Sequence, residues 1–212
     1  MKRVYYFLAL LCLFIAGTTN AQTVSGKIID SFNPSTVRNV YEIIIHVPLD
    51  EAKQLALAKL IEEEDAYFVK ILRKEVYISI PSGNTLKKLH EENLRKVLSD
   101  EELDQYYRGI CDDQAEAKAV EIREKTKVLL NTSYEEGKFV FASFYKIFLL
   151  SEVAKIKYAA QPKILESEIS RITEDELNVL REKCGISFDK NLNASRVWTF
   201  LKNTPYRDKK SR

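Results

Sequence analysis

The chain has 212 residues, 45% apolar and 30% charged, with 33 Lys and Arg against 31 Asp and Glu. Six glycines and five prolines are few for a sandwich or barrel closed by tight turns, so the composition favours long helices. A formal charge of +2 gives no global field to recruit nucleic acid or an anionic membrane.

Lys2 and Arg3 precede an apolar run, Val4 to Ala16, and then Gly17-Thr18-Thr19-Asn20-Ala21-Gln22. A basic start, a short apolar stretch and small residues at Thr19 and Ala21 predict a secretory signal peptide over 1–21, cut before Gln22. The run is shorter than the roughly 20 residues that span a bilayer. Cys12 follows Leu11 inside that run, which does not suit a lipoprotein site. Removing Lys2 and Arg3 from the 33 basic residues leaves 31 against 31 acidic ones, so the mature chain is formally neutral. No stable transmembrane segment is expected after cleavage.

Residues 22–38, with Gly26 and Pro34, read as an irregular lead-in. A single helical domain is expected over 39–205, followed by a basic tail over 206–212. Val40 to Val47, VYEIIIHV, has the β-branched content of a strand, and could equally be the first turns of a helix. As a strand it would pair with 76–80 in a small two-strand ribbon.

Asp50 is a candidate N-cap, and Leu57, Leu60, Ile61, Phe68, Ile71 and Leu72 share a helical face. Glu62-Glu63-Glu64-Asp65 interrupts it, as a solvated face or a break between two helices. The run lacks the interleaved spacing of a calcium loop. Ser82-Gly83-Asn84 reads as a turn, with a helix from Thr85 carrying Leu86, His90, Leu94 and Val97. Ser99 and Glu102 form a capping box. Leu103, Tyr106, Tyr107 and Ile110 follow at helical spacing, and a polar, exposed helix continues through Val128.

The most apolar stretch after the N-terminus is about 138–160, without Pro or Gly. Val140, Phe144, Ile147, Leu150, Ala154 and Tyr158 make an uncharged arc, and Phe139, Phe141 and Phe148 widen it. This predicts a central helix covered on more than one side. The alternative is an apolar binding surface made of Phe139, Phe141, Phe144, Phe148 and the sole tryptophan, Trp198. Pro162 breaks the chain, Thr173 and Glu176 form a second candidate capping box, and Gly185 suits the position just past a helix end. A last short helix is expected over 191–203, with Trp198 closing an irregular helical bundle.

Cys111 and Cys184 remain after the signal, either as a candidate disulfide or as two buried thiols. They have no close His or Cys spacing that would suggest a metal site, and nothing implies a cofactor. His46 and His90 are the only histidines, and His90-Glu91-Glu92-Asn93 lacks the second His of a zinc-protease helix. Neither a Gly-rich phosphate loop nor GxSxG occurs.

Leu98-Ser-Asp-Glu-Glu-Leu103 and Ile172-Thr-Glu-Asp-Glu-Leu177 share one pattern: apolar, hydroxyl, three acids, Leu. The pattern resembles the LTxxQ motif of periplasmic helical proteins of the Spy and CpxP type, with Glu102 and Glu176 where that motif has Gln. The resemblance implies an all-helical envelope protein that holds unfolded clients. The function expected is therefore that of an exported bacterial envelope protein acting by binding, with an unfolded client or a protein partner. The alternatives are an interaction subunit of an envelope complex and an enzyme using carboxylate acid–base chemistry.

Overall fold

The computed structural model describes residues 23–75 and 77–188, and the backbone of 206–207. The expected signal peptide, the helix over 191–203 and Trp198 lie outside the described residues. The fold is mainly α, with seven helices among the described residues. These are α1 (Gly26–Ser31), α2 (Pro34–Ile44), α3 (Glu51–Leu72), α4 (Ile80–Val97), α5 (Asp100–Leu130), α6 (Tyr134–Lys157) and α7 (Pro162–Cys184). Among the described residues no helix is long and apolar enough to cross a membrane. The chain divides into two compact units between Leu103 and Asp104.

The first unit corrects two expectations and decides between the alternatives of a third. Residues 26–31 and 34–44 are helical, not an irregular lead-in, because Ser25 and Asn33 cap them and Pro34 starts α2 with its φ already set. VYEIIIHV is not a ribbon strand: Val40, Ile43, Ile44 and Val47 are buried while Tyr41 and Ile45 face out. That spacing is helical, and a strand would have buried alternate residues. Finally, α4 begins at Ile80, before the expected turn at Ser82-Gly83-Asn84. Glu75 accepts from the Ser79 N–H at 2.9 Å and the Ser82 hydroxyl at 2.6 Å, which fixes Ser79 as the cap. These bonds hold the Glu75 carboxyl below its usual pKa, the Ser79 N–H contributing most. Pro81 in the first turn then carries the chain into the helix.

Other local signals act as expected. Asp50 accepts from the Lys53 N–H at 2.8 Å and caps α3. Ser99 and Glu102 exchange backbone bonds at 2.7 and 3.2 Å as a capping box. Glu102 also takes the Lys53 ammonium at 2.6 Å, and Lys53 is the main cause of its lowered pKa. The core of this unit is small: Ile28, Val40, Ile43, Ile44, Leu57, Ala58, Ile61 and Leu94 lie within it.

In the second unit, α6 is the central helix, starting a turn before the expected Lys138. It buries Val140, Ser143, Phe144, Ile147, Phe148, Ser151, Val153 and Ala154, which lie on more than one face. Its start is a capping box between Ser133 and Glu136. The facing stripe of α5 is Tyr107, Cys111, Ala115, Ala119, Ile122 and Thr126, at steps of three or four residues. α7 packs along α6 through Ile169, Ile172 and Leu180.

Thr173 and Glu176 do not cap a helix, contrary to expectation, because they sit inside α7. Pro162 has already started that helix, and no Pro or Gly intervenes before Gly185. Gly185 ends it in the left-handed region, at φ 61°. Ile186–Ser187 (β1) then pairs antiparallel with Tyr206–Arg207 (β2), Ile186 opposite Arg207. Part of the expected tail is therefore paired backbone.

Candidate functional site

The most unusual feature of the first unit is the α3–α4 hairpin. Glu64 of α3 meets His90 and Asn93 of α4, and Lys53 meets Glu102. These partners run in opposite directions along the chain, so the helices are antiparallel and the hairpin turns near Tyr77. Toward the unit's core, α3 buries Gln54, Leu57, Ala58 and Ile61, and α4 buries Asn93 and Leu94. Of the described residues between 62 and 92, only Ile71 is buried. At 1.5 Å per residue, the hairpin runs on for roughly 12–15 Å beyond the Glu64–His90 level with almost no core of its own.

The root of this arm is tied by a chain of hydrogen bonds. Both Glu64 oxygens accept, one from His90 Nδ1 at 2.9 Å and the other from Asn93 Nδ2 at 2.7 Å. Asn93 Oδ1 in turn accepts from Lys96 Nζ at 2.8 Å. A carboxylate with both oxygens engaged on its own protein clamps two helices and is poorly placed to take a proton from a substrate. Of the two readings of Glu62–Asp65, a solvated face and a break, the first holds: α3 is unbroken there, Glu62 and Glu63 face solvent, and Glu64 is the clamp.

The tip is chemically different. Tyr77 is 78% exposed and Ile80 81%, and Leu72 and Ile78 are also exposed. Between Asp65 and His90 the sequence holds five bases, Lys70, Arg73, Lys74, Lys87 and Lys88, against one acid, Glu75. All five bases are exposed. The acids Glu62 to Asp65 on α3 and Glu91 and Glu92 on α4 stand at the root. Acidic root, basic flanks and apolar tip succeed one another along the arm. Beside α3 and α4 lies a cleft of about 490 Å³, lined by Glu63, Lys88, Glu92 and Lys96 together with the apolar surfaces of Tyr67 and Leu89.

The aromatic residues singled out from the sequence separate into two groups. Phe144 and Phe148 are buried, with ring centroids 6.0 Å apart, and Phe188 meets Phe144 edge-on at 5.0 Å. They are core. Phe141 is half-buried beneath the Arg123 guanidinium at 5.8 Å, and Phe139 is exposed. These four residues therefore do not form one open surface. Arg123 and Phe141 also border a cleft of about 410 Å³ with Lys127, Lys138 and Thr132 at the start of α6. Glu135 and Glu136 occupy that first turn, and the capping box takes the Ser133 and Glu136 N–H groups, so an anion would meet acids there.

Cys111 and Cys184 are both buried and no disulfide joins them. Burial, and next the nearby Glu152 charge, push the Cys111 thiol pKa up, which makes it a poor nucleophile. Among the described residues no group of three His, Cys, Asp or Glu side chains is placed to share a metal ion. Sequence reasoning missed both parts of the arm. Glu64 and His90 are 26 positions apart and make no local motif. Tyr77, Ile78 and Ile80 read as strand residues, although the five bases around them were visible. No known protein family, curated protein or solved structure matches the chain.

Proposed function

We propose that the chain is an exported protein of the bacterial envelope that acts by binding, and that it engages its partner through the α3–α4 arm. The observation that carries this reading is the exposure of Leu72, Tyr77, Ile78 and Ile80 together at the end of a hairpin with almost no core. Large apolar side chains grouped on a surface mark interaction sites. Holding an unfolded client calls for a concave apolar surface, whereas the exposed apolar residues here lie at a projecting turn. The geometry therefore favours docking on a partner over cradling a client. The short apolar run before Gln22 supports export.

Two results test the reading. Protein recovered from the periplasm should have the mass of a chain beginning at Gln22, and recovery of the full 212-residue precursor from the membrane would contradict export. A photoreactive residue in place of Tyr77 should crosslink to a partner in intact cells, while the same residue at exposed Lys59 should not. Equal, weak crosslinking at both positions would remove the arm from the function.

A further inference from the structure

The arm has a second property that its docking role does not require: its charge is segregated. We propose that the arm tip seats on an anionic lipid surface, with Tyr77, Ile78 and Ile80 entering the headgroup region and Lys70, Arg73 and Lys74 resting on the phosphates. This inference rests on the binding reading above and names the partner.

The chemistry at the tip fits that occupant. Aliphatic side chains at a turn gain by leaving water for the upper acyl region, and a tyrosine ring is stable at headgroup depth. Lys and Arg lay their aliphatic stems on the apolar surface and keep their charges among the phosphates. Each such base strengthens attraction to an anionic leaflet, within a Debye length of the surface. Lys70, Arg73, Lys74 and Lys87 make no ion pair among the described residues, while Lys88 reaches Glu92 at only 3.7 Å. Their charge is therefore available to a partner. Along α3 the acid nearest to Arg73 and Lys74 at the root, Asp65, stands back by roughly 12–14 Å, beyond a Debye length at physiological salt, whereas Lys70 lies nearer to Glu62 and Asp65 and borders a cleft with them. The formal neutrality expected of the mature chain thus hides a local basic field at a place where large apolar side chains are exposed.

Other occupants fit less well. A second copy meeting tip to tip would bring ten bases against two acids. Nucleic acid would use the bases but has no place for Ile78 and Ile80, which cannot stack on bases as aromatic rings do.

The test is co-flotation of the exported form, beginning at Gln22, with vesicles. Vesicles of phosphatidylcholine with one quarter phosphatidylglycerol should bind it, phosphatidylcholine alone should bind it at least about tenfold more weakly, and 0.5 M salt should release it. Ile80→Asp should lower the partition constant at least about tenfold, and Arg73→Gln and Lys74→Gln should each lower it roughly fivefold. These side chains are exposed, so the variants should melt as the parent does by circular dichroism. Ile29→Asp, at an exposed apolar residue on α1, should bind as the parent does. Equal binding to neutral and anionic vesicles, or tip variants that bind like the parent, would overturn the proposal. Crosslinking from position 77 to a protein, with no vesicle binding, would overturn it while leaving the docking role intact.

Discussion

Phe144→Ala is expected to lower the stability of the chain by roughly 3–5 kcal/mol, and Ile147→Ala by roughly 2–5. Both side chains are 0% exposed. Phe144 meets Phe148 on its own helix and Phe188 beyond β1, so its ring joins α6 to the segment that follows α7. Truncation removes the transfer free energy of the ring and leaves a cavity. The walls of that cavity lie on α6 and on the chain after Gly185, and these cannot collapse together without moving a helix. Phe139→Ala provides the contrast, because Phe139 is 41% exposed on the same helix and should change stability by no more than about 0.5 kcal/mol. Urea titrations of the three variants decide the matter. Equal midpoints for Phe144→Ala and Phe139→Ala would mean that the central helix is not core.

The central helix was legible from the sequence because its signal is long and redundant. Many apolar residues in one stretch without Pro or Gly leave few alternatives, and the helix ends, Tyr134 and Lys157, lie within four residues of the expected ones. Caps at Asp50, Ser99 and Gly185 were legible for a different reason: each coincides with a place where the backbone has cause to change direction. The Thr173-x-x-Glu176 pattern has the same letters without that cause. It follows eleven residues of helix, and a capping box needs a chain that is entering a helix rather than already in one. VYEIIIHV stood open between strand and helix because its composition and its period point different ways. β-branched content is a weak, context-dependent preference, while Val40, Ile43, Ile44 and Val47 carry a helical repeat that packing enforces.

The arm was illegible for a geometric reason. Its clamp joins residues far apart in sequence, and the antiparallel pairing that brings Glu64 to His90 follows from where α4 starts. Ser79 and Pro81 start α4 five residues before Thr85, while Gly83, inside the helix, has the look of a turn residue. With Ile80 assigned to a strand, the exposed apolar residues and the bases beside them could not be seen as one surface. The division into two units was equally hidden. It falls within α5, where no linker composition marks it.

The second large effect is expected at Glu152. Its Oε1 accepts from Lys118 Nζ at 3.2 Å and Lys155 Nζ at 3.1 Å, between α5 and α6. The Lys118 and Glu152 side chains are only 13% and 18% exposed, and Lys118 also lies 5.8 Å over the Phe148 ring. Burial alone would push the Glu152 pKa up, but the bonds and charges of Lys155 and Lys118 together outweigh it and hold the carboxyl below its usual 4.5. Glu152→Leu should therefore cost about 3 kcal/mol at pH 7, because it leaves the Lys118 ammonium poorly solvated without that carboxylate. Lys118→Met combined with Glu152→Leu should recover most of the loss, since an apolar pair of similar volume removes the desolvation penalty with the attraction. The sign of the pH dependence follows from the lowered pKa. The stabilisation from Glu152 is complete above pH 4.5 and is lost as the pH falls through the depressed value in the folded state. The stability difference between the parent and Glu152→Gln should thus be constant from pH 7 to about pH 5 and shrink below 4.5. Denaturant melts of both proteins across that range would give the answer, and a difference that stays constant down to pH 2 would show that Glu152 acts through packing and not through its charge.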